Sequence, residues 1–364
     1  MTETQPEIAA ALQRAVDLGE RNVQVAAYLG DELIVDAHIG PAGADAVYPL
    51  FSTSKAFTAL AVHLQAERGL LDLDAPLAEV WPRYAAAGKA AVTPAQVLAH
   101  RAGVPQAPAW LTPQRLGDWE AITTALAEVE PLYPPGTVNA YHSLSFGWLL
   151  GETVRRTDPQ RRPFTRFVAE ELCAPLGVEA LWFGIPADVA PRVATLDFPD
   201  APPPPPPDAP VHLAVPPPVA LMPAVFNRRE TQAAAVPAVG AVGDARSAAR
   251  LFSVLAQRGR GLLDPARVEA MLRPRPDVDA VDVVYGRPLP VGAGGLWIEA
   301  PGVTAAGRRG DVLSHPGAGG TVAWAELDHG LAVAICHDRM FAAVAEHPFA
   351  ALGEAVRRVA AEHR

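Results

Sequence analysis

The chain has 364 residues, half of them apolar, and carries a net charge of −10 with no basic cluster. That balance argues against a nucleic-acid partner and leaves material for one large core or two adjoining ones. Two cysteines cannot build a disulfide framework. The acidic, polar start and the lack of a long charge-free apolar stretch lead us to expect a cytoplasmic protein without a membrane span.

Taken in order, Pro6 to Gly19 reads as an amphipathic helix, with Ile8, Leu12, Ala15 and Val16 near one face. Val23 to Ile39 reads as two strands joined at Gly30-Asp31. Phe51 to Arg68 returns to a helical pattern, with Gly69 as its terminator. From Leu70 to about Pro237, Ala/Leu-rich helical segments are split by prolines. Within them, Pro199 to Pro223 holds the runs Pro202–Pro207 and Pro216–Pro218. Such runs are expected to be extended polyproline, and the segment a long surface loop or lid rather than a linker. Ala245 to Gln257 reads as helix, Gly292–Ile298, Gly320–Leu327 and Leu331–Cys336 as strands, and Ala343 to Arg364 as helix. The order predicts an α/β domain built from residues 1–69 and 238–364, interrupted by a mostly helical domain over 70–237.

The chain has only two lysines, Lys55 and Lys89, and only seven serines. A serine three positions before one of them, Ser52-x-x-Lys55, is therefore a conspicuous pairing, and it matches a known nucleophile signature. Residues three apart on a helix share a face. A serine hydroxyl needs a base to become a nucleophile, and a lysine serves if burial favours its neutral form. The flanking Phe51, Phe57, Leu60 and Val62 point to a mostly buried helix, where an ammonium group needs a partner or a purpose. A helix amino terminus also presents free N–H groups to a developing oxyanion.

The stretch Phe51 to Leu60, followed by Glu67 to Pro76, resembles the nucleophile region of the serine β-lactamase superfamily, in the class C-like branch that includes family VIII carboxylesterases. Val97 to Gly103 resembles that branch's short LLxHxxGL segment. Pro134–Thr137 leading into Tyr141, His142 and Ser143 resembles the Tyr-x-Asn motif. Ser314 to Gly320 resembles the third motif, Lys-Thr-Gly or its His-x-Gly variant. The resemblance runs from about residue 20 to 340 and implies a β-lactamase/transpeptidase-like fold, an antiparallel sheet flanked by helices. It implies Ser52 as acylated nucleophile, Lys55 as its activating partner and Tyr141 as second base, without deciding which of the last two takes the first proton. The N–H groups of Ser52 and Ala318 would form the oxyanion hole, and His315, Gly317 and Ser143 would meet the substrate.

Three positions depart from the family pattern. Ser143 stands in place of Asn, His315 in place of Lys, and Pro316 in place of Thr or a small residue. They remove an amide, a fixed positive charge and a backbone donor. The expected substrate is therefore a small neutral ester. An acyltransferase or amide-forming enzyme, a weak β-lactamase or D-peptidase, and a non-enzymatic binding protein on the same scaffold are the alternatives. No Gly-x-Ser-x-Gly, His-Glu-x-x-His or Cys-x-x-Cys occurs, so neither a nucleophile elbow nor a metal or other cofactor is expected. The glycines at 292, 294, 295, 317, 319 and 320 read as bulges and close backbone approaches. His100 and Arg101 read as loop-holding residues. The pocket is expected around Trp110, Trp182 and Pro199–Pro223.

Overall fold

The computed structural model describes residues 4–300, 312–342 and 346–363. Strands β1 (Val23–Leu29) and β2 (Glu32–Ile39) pair across the Gly30-Asp31 turn, as the alternation predicted. They belong to a five-stranded antiparallel sheet of order β2-β1-β8-β7-β6, with β6 Val312–Pro316, β7 Val322–Glu326 and β8 Leu331–His337. β1 lies against β8, with Val23 opposite His337, so the two ends of the chain build one sheet.

The period of two along β1 sorts its side chains between two cores. Val23, Val25 and Ala27 pack with Ile8, Leu12, Leu352 and Val356 from the helices Pro6–Asp17 and Ala350–Glu362. Ala26 and Tyr28 face the other way, into the core that contains Leu251 and Phe252 of the helix Ala245–Ala256. Both sheet faces are therefore covered, which is why β8 is a continuous apolar run buried along its length. The last helix is shorter than predicted and starts after Pro348. Residues 343–345 and 364 of the predicted span lie outside the described residues.

A second sheet was not anticipated. It joins β3 (Tyr48–Pro49), β4 (Leu181–Phe183) and β5 (Ala241–Gly243) in the order β3-β5-β4. Such short strands leave little periodicity to read. The predicted strand Gly292–Ile298 is instead a tight turn with single bridges from Trp297 to Val291 and Ser314. Its glycines allow close contact: a Cβ on Gly292 would lie 2.4 Å from the Met271 carbonyl oxygen. The Pro199–Pro223 segment is not uniformly extended. Pro202–Pro207 is exposed, but a helical turn forms at Val211–Ala214 and another at Pro217–Val219. The Leu213 carbonyl accepts a hydrogen bond from Ala107 N–H at 2.9 Å, which ties the segment back to the body. Among the described residues no helix is long and apolar enough to cross a membrane.

Candidate active site

Phe51–Thr53 form a 3₁₀ turn that leads into the helix Ser54–Glu67. Phe51 has φ 45°, in the left-handed region that bulky residues rarely adopt, so the backbone is bent just before Ser52. The small sheet holds this bend. Leu50 N–H donates to the Ala241 carbonyl at 2.8 Å, and Ala241 N–H donates to Ser54 Oγ at 2.9 Å. The helix is buried on every side from Ser54 to Gln65, as its apolar flanks predicted.

Lys55 is fully buried, with Nζ 3.1 Å from Ser52 Oγ and 3.0 Å from the Ala238 carbonyl oxygen. Among the described residues no carboxylate pairs with it, and burial holds its pKa well below the ordinary value of 10.5. The rings of Tyr141 and Phe146 lie 5.2 and 5.9 Å from Nζ.

Tyr141 reaches the same spot from the loop before the helix Ser145–Thr157. Its hydroxyl engages Ser52 and lies 3.4 Å from His315 Nε2. Burial raises the Tyr141 pKa well above the ordinary tyrosine value, so the side chain is a neutral phenol. His315, on β6, is completely buried. Its Nδ1 is 3.0 Å from the Pro316 carbonyl, an acceptor, so Nδ1 carries the proton and Nε2 offers a lone pair to Tyr141. Burial pushes the His315 pKa down to about 3, which leaves the ring uncharged at neutral pH.

β6 is pinned beside the nucleophile by Thr53 Oγ1, which donates to the His315 carbonyl at 3.0 Å. Gly317 makes this approach possible, because a Cβ there would sit 2.6 Å from the Leu50 carbonyl oxygen. Ser52, Gly317 and Ala318 all line one cavity. Among the described residues, neither Ser52 N–H nor Ala318 N–H meets an acceptor. His315 and Ser143 are not among the lining residues. Ser143 is buried, interacting with Tyr285 without a well-formed hydrogen bond.

Three further residues were not singled out by motif. Arg275 and Asp282 form an ion pair at 3.4 Å with both side chains wholly buried. The Asp282 carboxylate accepts from the N–H groups of Tyr141, Val284 and Tyr285 at 3.1, 3.1 and 3.4 Å. Arg275 also donates to the Ala99 carbonyl at 3.2 Å. Burial drives Asp282 up and Arg275 down, and the pair with its backbone donors opposes that drift. His142, the third, is a neutral strut. Its Nδ1–H donates to the Ala140 carbonyl and its Nε2 accepts from Val104 N–H. His100 stacks on Tyr141 at 4.2 Å, and Arg101 donates to Gly136 and Asn139, so both hold the Tyr141 loop as expected. Replacing Asp282 with Ala strands three N–H groups and a buried guanidinium. It is expected to destabilise the protein by about 3–5 kcal/mol, measured by denaturant unfolding. A loss below about 1 kcal/mol would contradict this role.

The cavity has a volume of about 410 Å³, within the range of small-molecule sites. Besides Ser52 and Tyr141 it is walled by Leu221, Tyr285, Leu289, Trp297 and Phe341. Of the segments expected around it, only Leu221 contributes. Trp110 lines a separate apolar pocket with Leu213 and Pro216–Pro218, and Trp182 packs against the cluster of Val47 and Val242.

Residues 8–356 match the family model described as Beta-lactamase, so the chain belongs to the beta-lactamase family. It is 30% identical over 377 residues to the esterase/beta-lactamase LipL of Mycobacterium tuberculosis, across 93% of this chain and 83% of LipL. A family VIII carboxylesterase structure is similar over 99% of each chain, at 26% identity and TM-score 0.85. A penicillin-binding protein homologue from Caulobacter crescentus is similar over 99% of each chain, at 30% identity and TM-score 0.85. The β-lactamase/transpeptidase-like fold expected from the motifs is the fold of the chain.

Proposed function

We propose that this protein is a serine ester hydrolase working through an acyl-enzyme on Ser52. The observation that carries the reading is the contact between Ser52 Oγ and a buried Lys55 that no carboxylate among the described residues pairs with. With one N–H of the neutral amine held by the Ala238 carbonyl, its lone pair is free for the Ser52 proton. This favours Lys55 over Tyr141 as the first base, because a phenol that keeps its proton is not a base and still has that proton to give to a more basic alkoxide.

The serine oxygen attacks the ester carbonyl, and the negative charge moves to the carbonyl oxygen, facing the N–H groups of Ser52 and Ala318. Collapse expels the alkoxide, which takes the Tyr141 proton, and the phenolate recovers a proton from Lys55. Water then attacks the acyl-enzyme by the reverse path and releases the acid. His315 Nε2 accepts from the Tyr141 hydroxyl and fixes its direction. A neutral His315 leaves no fixed charge beside the reacting carbon, which suits a small ester, uncharged at that end. The similarity to the esterase/beta-lactamase LipL and to a family VIII carboxylesterase supports an ester as substrate.

The test is turnover of 4-nitrophenyl butyrate. The wild type should hydrolyse it, and Tyr141→Phe should lower kcat by about 10²–10⁴-fold. No turnover above buffer would overturn the proposal. The rate should rise with pH as Lys55 loses its proton, and level off well below the ordinary value of 10.5. A rate still climbing through that value would place the first base elsewhere.

A further inference from the structure

We infer that Arg287 is a carboxylate-binding subsite of this cavity, and that the favoured substrates are esters bearing a carboxylate away from the reacting carbonyl. The inference rests on the acyl-enzyme reading of Ser52. Among the described lining residues, Arg287 is the one side chain with a permanent charge, and no Asp or Glu is present. The other titratable groups there are held neutral. Burial raises Tyr141 and Tyr285 and lowers His347.

Many arginines of this chain are spent on ion pairs, as Arg155 is on Glu152 and Arg162 on Asp158. Arg287 forms none among the described residues. Arg287 is exposed and lines the cavity, and among the described residues no acceptor takes its guanidinium donors. A planar guanidinium matches a carboxylate with two parallel hydrogen bonds.

The placement is built rather than incidental. Asp282 N–H donates to the Arg287 carbonyl at 3.0 Å, and Gly286 N–H donates to the Asp282 carbonyl at 2.8 Å, closing a tight loop. Gly286, at φ 69°, takes the left-handed turn that the closure needs. The Asp282 carboxylate that caps this loop also holds the backbone of Tyr141. One buried group therefore holds the backbone of Tyr141 and caps the loop that carries Arg287. The Tyr285 ring, also on the cavity wall, stands edge-on to Tyr141 at 5.2 Å. The neutral His315 leaves the reacting end without a charge of its own, so the permanent positive charge among the described lining residues is that of Arg287.

The experiment compares matched substrates that differ by one negative charge. The mono-4-nitrophenyl ester of adipic acid is set against 4-nitrophenyl hexanoate, for a carboxylate on the acyl part. 4-Acetoxybenzoate is set against its methyl ester, for one on the alcohol part. In at least one pair Arg287→Gln should lower the anionic-to-neutral ratio of kcat/KM by about tenfold, and Arg287→Lys by less. The wild-type ratio should also fall with added salt. Ratios unchanged in both pairs, in Arg287→Gln and in the charge-reversed Arg287→Glu, would overturn the subsite and leave the hydrolase reading standing. General misfolding lowers both members of a pair and cannot produce the expected ratio. Absence of wild-type turnover on all four esters would overturn the Ser52 reading and the subsite together.

Discussion

Replacing Ser52 with Ala is expected to cut ester hydrolysis by on the order of 10⁴-fold or more, with the fold retained. The size follows from losing the one hydroxyl in contact with both Lys55 and Tyr141. The other serines nearby are engaged elsewhere. Ser54 is fully buried and its Oγ is occupied by Ala241 N–H, Ser143 is buried away from the cavity, and Ser314, which lines the cavity, donates its hydroxyl to the Glu299 carbonyl. The substitution removes one oxygen at the cavity wall and leaves Lys55 its bond to the Ala238 carbonyl, so the melting temperature should move by less than about 2 °C. Activity within tenfold of wild type, by 4-nitrophenyl butyrate hydrolysis, would mean another nucleophile.

Lys55→Met is expected to lower the rate by about 10²–10⁴-fold and to make the protein more stable. Methionine has similar length and fills the space between Tyr141 and Phe146 without a charge to desolvate. Burying an amine with no counter-ion costs stability, and removing it should return about 1–4 kcal/mol, a rise of about 1–5 °C in Tm. The pH dependence has a definite sign. The folded pKa lies below the unfolded one, so between the two the unfolded chain binds a proton that the folded chain does not. Stability of the wild type therefore rises with pH across that window. The advantage of Lys55→Met should shrink as pH approaches 10.5, where the amine is neutral in both states. A variant less stable than wild type at pH 7 would show that the ammonium is stabilised in the fold.

The nucleophile pair was legible because it is local. Three residues of spacing on one buried helix bring Ser52 and Lys55 together whatever the rest of the chain does. The strands β1 and β2 were legible for the same reason, with alternation and a Gly-Asp turn in one continuous segment. What escaped depends on tertiary contact. Arg275 and Asp282 are separated by six ordinary loop residues, and only their burial against the Tyr141 backbone gives them a task. His315 was expected to meet substrate, but the register of β6 turns its ring toward Tyr141 and leaves Pro316 and Gly317 at the cavity. The Gly292–Ile298 segment had the apolar content of a strand, yet Gly292 and Gly294 serve close packing against Met271. The proline runs within Pro199–Pro223 suggested extended backbone there. Tertiary ties at Leu213 and Leu221 decide instead where it leaves the surface.

The central claim is that Ser52 is an activated nucleophile. Its most direct test is the intact mass of the protein after brief treatment with a fluorophosphonate, followed by peptide mapping. We expect one adduct per chain, at Ser52, forming faster as pH rises and lost in both Ser52→Ala and Lys55→Met. An unmodified protein, or an adduct at any other residue, would contradict the account.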